Sequence, residues 1–76
     1  MHDVYILYTN WLNDRRWRKI SPERLFFGEC QWHPGEQWLL EAIDLDAPGM
    51  YRKMFAMKDI HQWRTTPPEP VQEVSR

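Results

Sequence analysis

The order of apolar and polar positions along the chain predicts short β-strands separated by turns. Residues 4–9 are β-branched, aromatic or aliphatic throughout and too few for a stable helix, which is typical of a strand. Residues 10–14 supply a turn, and residues 15–20 form the natural return strand of a hairpin. Ser21 and Pro22 are predicted to end this strand, because proline cannot donate to a central ladder.

The middle of the chain predicts three further strands. Residues 25–27 form a short strand, and residues 30–36 form a loop whose Pro-Gly pair is a strong turn signal. Residues 37–44 allow a helix as readily as a strand, but their short length between two Pro-Gly turns favours a buried strand. A fifth strand is expected over residues 50–56, followed by one helical or 3₁₀ turn over residues 58–63.

Five short strands with almost no helix predict an all-β fold, built as a small bent sheet or partly open barrel. Residues 1–63 are assigned to this single domain. Residues 64–76 contain several prolines and little to bury, so they are predicted to form a flexible Pro-rich tail. A Pro-rich recognition peptide is the alternative for this segment.

Side-chain alternation divides the predicted strands into two faces. Arg18 shares a face with Ile20, which should point inward, whereas Trp17 lies on the opposite face. Lys53 likewise shares a face with Phe55. If both apolar residues belong to the core, the two cations meet at its lip.

The composition of the chain limits which binding partners the sequence can support. Ten Lys and Arg against eleven Asp and Glu give a formal net charge of −1, so binding to nucleic acid must depend on a local patch. The single cysteine, Cys30, cannot form an internal disulfide, and cytosol is the default compartment. No signal peptide or long apolar run is recognised, so a cytoplasmic protein without membrane association is expected.

One local cluster combines cations with a ring. Trp17 is surrounded in the sequence by four cations, Arg15, Arg16, Arg18 and Lys19. Proteins bind single-stranded nucleic acid with such sets, because the cations contact phosphates and the ring stacks on a base. The alternative is a solvated hairpin arm in which Trp17 packs on its neighbours.

Three aromatic or imidazole side chains lie in predicted turns. Trp11 either contacts a partner or caps the barrel end. Trp32 and His33 lie in the longest predicted loop, where binding groups are often carried, and the alternative is that they cover the core.

No catalytic or metal-binding pattern is found in the sequence. Cys30 and His33 have a spacing that a metal could use, but two ligands do not make a tetrahedral site. Asp44 and Asp46 lie at a predicted turn, where aspartate is expected to bond backbone amides. No glycine-rich phosphate loop occurs. We therefore predict a non-enzymatic protein without metal or cofactor.

Three stretches in order resemble the WYL domain. They are Arg-Lys-Ile-Ser-Pro at residues 18–22 followed by Leu25, Trp-Leu-Leu-Glu-Ala at 38–42, and Lys-Met-Phe-Ala-Met-Lys-Asp-Ile at 53–60. Leu39 stands where that family has Tyr, and Lys53 where it usually has Arg. The chain is also similar to small stand-alone bacterial proteins with an Asn-Trp pair near the start.

This resemblance implies an SH3/Sm-like barrel acting as a regulatory ligand sensor, with a basic and aromatic groove for nucleic acid or nucleotide-like effectors. Our leading hypothesis is therefore a module that senses a nucleotide-like or single-stranded nucleic-acid ligand. The alternative is a protein-protein interaction module, as a homodimer or with another partner, that uses exposed aromatic loops. The candidate ligand-binding residues are Arg16, Trp17, Arg18, Trp32, His33, Trp38 and Lys53.

Overall fold

Five β-strands and one 3₁₀ turn make up the described chain. The computed structural model describes residues 3–31 and 33–68. Trp32 and most of the predicted tail, residues 69–76, lie outside the described residues. The strands are β1 (Val4–Thr9), β2 (Arg15–Cys30), β3 (His33–Asp44), β4 (Arg52–Ala56) and β5 (Ile60–Arg64), and the 3₁₀ turn spans Met57–Asp59. No helix in these residues is long and apolar enough to cross a membrane.

The strands form a single antiparallel sheet in the order β4-β3-β2-β1-β5. In a flat sheet, β1 and β4 would lie about 14 Å apart, because neighbouring strands are about 4.8 Å apart. Yet the rings of Tyr8 in β1 and Phe55 in β4 meet edge to face with their centroids 5.0 Å apart. The sheet is therefore strongly bent, and the predicted all-β architecture is confirmed.

β2 differs from the prediction, because it continues through the proline expected to end it. Its first part pairs with β1 and its second part with β3, so one strand of 16 residues replaces two predicted ones. β1 begins at Val4, opposite Ile20, so no described strand on that side needs an N–H from Pro22. A register irregularity between Pro22 and Arg24 accommodates the proline on the β3 side.

Two other segments were predicted wrongly. Residues 33–36 belong to β3 instead of a loop, and Gly35, with φ of 85°, lies opposite the register irregularity between Gly28 and Cys30. The predicted helical or 3₁₀ turn over residues 58–63 is present only as the short 3₁₀ turn at Met57–Asp59. Residues 60–64 form β5 instead, because pairing with β1 outweighs the weak local preference.

The core lies on the concave side of the sheet, where side chains from four strands pack. Its buried members are Ile6, Tyr8, Ile20, Leu40, Ala42 and Phe55. Alternation in β1 and β2 therefore holds as predicted, since Ile20 faces inward with Arg18 beside it.

Candidate functional site

An open groove of about 940 Å³ runs along β4 and past the β1–β2 turn. Tyr8, Arg18, Lys53 and Phe55 line it on the core side, and Trp11 lines it from the turn. Arg18 and Lys53, each expected beside the core, both lie at its edge and contact one carboxylate.

That carboxylate belongs to Asp44, whose side chain is fully buried at the end of β3. Its Oδ2 accepts hydrogen bonds from Arg18 Nη1 at 3.1 Å and Lys53 Nζ at 3.0 Å. Its Oδ1 accepts the Asp46 backbone N–H at 3.1 Å. Asp44 was predicted as a turn residue, and it does bond a backbone amide, but its main partners are the two cations.

The charge state of Asp44 follows from these contacts. Desolvation by burial alone would raise the pKa of the Asp44 carboxyl. The hydrogen bond and charge of Lys53, the Asp46 amide and the Arg18 charge together outweigh it and lower this pKa from its ordinary value of 3.8. The carboxylate is therefore ionised at neutral pH, and it compensates one of the two cations.

This compensation weakens the groove as a phosphate site. A phosphate would have to compete with a buried carboxylate that already holds both cations. The Arg18 side chain is only 15% exposed, so its guanidinium has little freedom to turn toward a ligand. The Lys53 side chain is 33% exposed and retains some access to solvent.

Aromatic side chains and one histidine complete the groove. Tyr51 is half-exposed beside Lys53, with Nζ 5.4 Å from the ring centre, and Trp11 is 88% exposed. Burial raises the pKa of the Tyr8 hydroxyl, although this hydroxyl accepts the Ala56 N–H, which lowers that pKa. The His33 ring lies 3.1 Å from the Met54 carbonyl oxygen of β4, within hydrogen-bond distance.

Three of the other predicted ligand-binding residues do not join Arg18, His33 and Lys53 in the groove, namely Arg16, Trp17 and Trp38, and Trp32 lies outside the described residues. Arg16 is exposed and forms an ion pair with Asp14 in the adjoining turn. Trp38 is half-exposed and packs edge to face on Phe27, with ring centroids 5.5 Å apart. Trp17 lies on the convex side of β2, opposite Leu7.

Trp17 belongs instead to a second surface, which we call the outer basic face. It consists of exposed and half-buried side chains on the convex side of β5, β1 and β2, namely Tyr5, Arg15, Trp17, Lys19, His61 and Arg64. Tyr5 lies between Lys19 and Arg64 in the register of the three strands. Cations therefore flank the rings on both sides.

Among the described residues, the arginines and the lysine of the outer basic face have no acidic partner. Across residues 3–31 and 33–68, no carboxylate forms an ion pair with Arg15, Lys19 or Arg64. Arg15 Nε donates to Thr9 Oγ1 at 3.3 Å, and Lys19 Nζ lies 6.0 Å from the centre of the Tyr5 ring. Asp46 lies at one end of this surface, where its Oδ2 accepts the Lys19 backbone N–H.

Exposed arginines elsewhere on the described surface are paired. Arg24 Nε bonds Glu41 Oε1 at 3.1 Å, and Arg52 Nε bonds Glu23 Oε1 at 2.6 Å. The hydrogen bond from Arg52 lowers the pKa of Glu23 despite slight desolvation, and the same bond raises the pKa of Arg52. The outer basic face thus differs from these sites in having uncompensated charge.

Neither a metal cluster nor a known relative adds to this picture. The described residues contain no group of three or more His, Cys, Asp or Glu side chains placed to hold a metal ion. No family model, curated protein or solved structure matches the chain. The function must therefore be argued from the two surfaces themselves.

Proposed function

We propose that this protein is a non-enzymatic module that binds single-stranded nucleic acid through the outer basic face. The proposal is supported by one observation: within the part of the chain that the structure describes, Arg15, Lys19 and Arg64 have no acidic partners, and they lie beside the rings of Tyr5 and Trp17. Cations that are not compensated can release counterions when they meet phosphates, and the accessible parts of these two half-buried rings can stack on bases.

The spacing of the surface suits consecutive nucleotides. Tyr5 pairs with Lys19 and Leu7 with Trp17, so the two rings are diagonal neighbours on adjacent strands. Diagonal positions in an antiparallel pair are about 7–8 Å apart. Two unstacked bases of an extended strand can reach two rings at this separation, with phosphates between the flanking cations.

The ligand class is the one expected from the basic-aromatic cluster in the sequence, but the proposed site differs. Arg18 and Lys53 were expected to meet phosphate, but both already donate to the buried Asp44 carboxylate. Arg15, Trp17 and Lys19 remain available because alternation turns them to the convex side.

A charge-matched pair of variants tests this proposal. The outer variant, R15A/K19A/R64A, removes three uncompensated cations, and the paired variant, R16A/R24A/R52A, removes three that have acidic partners. Each changes the formal net charge from −1 to −4, since three positive charges are lost from the same chain.

The readout is fluorescence anisotropy of a labelled oligothymidine at several salt concentrations. Three lost phosphate contacts should reduce the slope of log affinity against log salt by about 2 and weaken binding at low salt about 10-fold or more. The paired variant should retain the wild-type slope. Equal losses in both variants would show a net-charge effect only and contradict the proposed site.

A further inference from the structure

An exposed apolar patch lies on the β2–β3 hairpin, away from the outer basic face. Leu25, Phe27 and Trp38 are each more than half exposed, at 53%, 55% and 54%. Leu25 pairs with Leu40 and Phe27 with Trp38, so alternation puts all four on one face. We call Leu25, Phe27 and Trp38 the hairpin patch.

The hairpin patch is open because the neighbouring strands do not reach it. β1 pairs with β2 only as far as Ile20, and β4 pairs with β3 only from Leu39 onward. The same face that is buried at Leu40 therefore continues without a covering strand toward Trp38. Adjacent large rings left in water mark an association surface, since aromatic residues are enriched at interface centres.

Charges of both signs border the hairpin patch. Lys58 lies beside Trp38, where the two residues and Phe27 line a shallow cavity of about 430 Å³. Glu36 is exposed and lies two positions from Trp38 on β3, beside the register irregularity at Gly35. Within residues 3–31 and 33–68, neither Lys58 nor Glu36 forms an ion pair.

We infer that the hairpin patch binds a second copy of this chain in a two-fold symmetric dimer. In such an interface the same surface meets itself, so every contact occurs twice. A patch with a cation at one margin and an anion at another is complementary to its own rotated copy. Lys58 of each copy then faces Glu36 of the other, while the Trp38 rings pack at the centre.

A charge swap tests this arrangement by sedimentation equilibrium over a range of protein concentrations. K58E and E36K each replace two attractive contacts by two repulsive ones, and each should weaken dimerisation at least about 10-fold. The double variant K58E/E36K restores opposite charges and should recover association to within a few-fold of wild type. W38S should abolish the dimer over the same range, since a central Trp often dominates binding.

Two controls separate this inference from the proposed function. W11S removes an equally large and more exposed ring elsewhere and should leave dimerisation unchanged. R15A/K19A/R64A should also dimerise normally, because its substitutions lie on the convex side. A wild-type chain that stays monomeric at every concentration, or a double variant that fails to recover, overturns the inference. Circular dichroism of each variant confirms that the fold is retained.

Discussion

The groove and the outer basic face draw their cations from the same strand, yet they hold them in opposite electrostatic states. Arg18 in β2 faces inward and shares the buried Asp44 carboxylate with Lys53. Its neighbours Trp17 and Lys19 face outward, where the lysine has no acidic partner among the described residues. A basic run in a sequence is therefore divided between two surfaces once it forms a strand, and the cations of one surface are already bound to a carboxylate within the protein.

The same difference distinguishes charged side chains that stabilise the fold from those that can bind a ligand. A carboxylate without solvent access needs its cations to remain ionised, so Arg18 and Lys53 act mainly in holding β3, β2 and β4 together. Arg15 and Arg64 pair with no carboxylate of residues 3–31 and 33–68, and we expect their removal to alter binding more than folding.

Asp44, Arg18 and Lys53 form what we call the groove cluster. The largest expected effect follows from removing the charge of Asp44 from this cluster. Asp44→Asn leaves two cations without their buried counter-charge and should lower the free energy of unfolding by about 3 kcal/mol. Urea denaturation followed by tryptophan fluorescence measures this. Asp46→Asn serves as the control, because Asp46 is exposed and bonds a backbone amide, and its cost should be clearly smaller. Equal costs would contradict the account of Asp44.

The next effect concerns the outer basic face. Trp17→Ala should weaken oligothymidine binding by about 5- to 100-fold, because a base–ring stack contributes about 1–3 kcal/mol. Anisotropy titration measures the change, with Trp11→Ala as the control for removing an exposed ring near the groove. If Trp11→Ala weakens binding more than Trp17→Ala, the groove and not the outer basic face holds the bases.

Acid pH should weaken the fold through the groove cluster. The pKa of Asp44 is lower in the folded state than its ordinary value of 3.8, so its contribution to stability is complete above that pH. This contribution is lost as pH falls through the folded-state pKa. Urea midpoints measured from pH 6 down to the acid limit should decrease in this window for the wild type. They should decrease less in Asp44→Asn, whereas a parallel decrease in both proteins would exclude Asp44 as the source.

The smallest expected effect is the change in oligothymidine binding when Lys53, a cation of the groove, is replaced. Lys53→Gln removes a cation that Asp44 already holds, so affinity for oligothymidine should change less than about 2-fold at fixed salt. Lys19→Gln removes the same charge from the outer basic face and should weaken binding more. The reverse order would place the phosphates in the groove.

Much of the fold was predictable from local patterns. Alternation over residues 4–9 and 15–20 correctly predicted the first hairpin and the inward position of Ile20. Pro22 was wrongly predicted to end a strand. Its effect depends on whether a neighbouring strand needs a hydrogen bond from that position, and this depends on the tertiary structure. Residues 60–64 gave no strand signal of their own and form β5 only by pairing with β1.

The candidate site was predictable in part. Arg18 and Lys53 were expected beside the core, because they share strand faces with Ile20 and Phe55. The negative charge of Asp44 between them was not predicted. A signal for it existed, because Asp44 follows Leu40 and Ala42 at a spacing of two and so shares the core face of β3. The position of Trp38 away from the groove could not be predicted, since it depends on where β4 stops pairing with β3.

An amide chemical-shift titration of the ¹⁵N-labelled protein with a short oligothymidine at low salt shows directly which surface binds the ligand. If the outer basic face binds it, the largest shifts fall on Tyr5, Trp17, Lys19 and Arg64, with Lys53 and Met54 in the groove nearly unchanged. Largest shifts along β4, or none on either surface, would contradict this proposal.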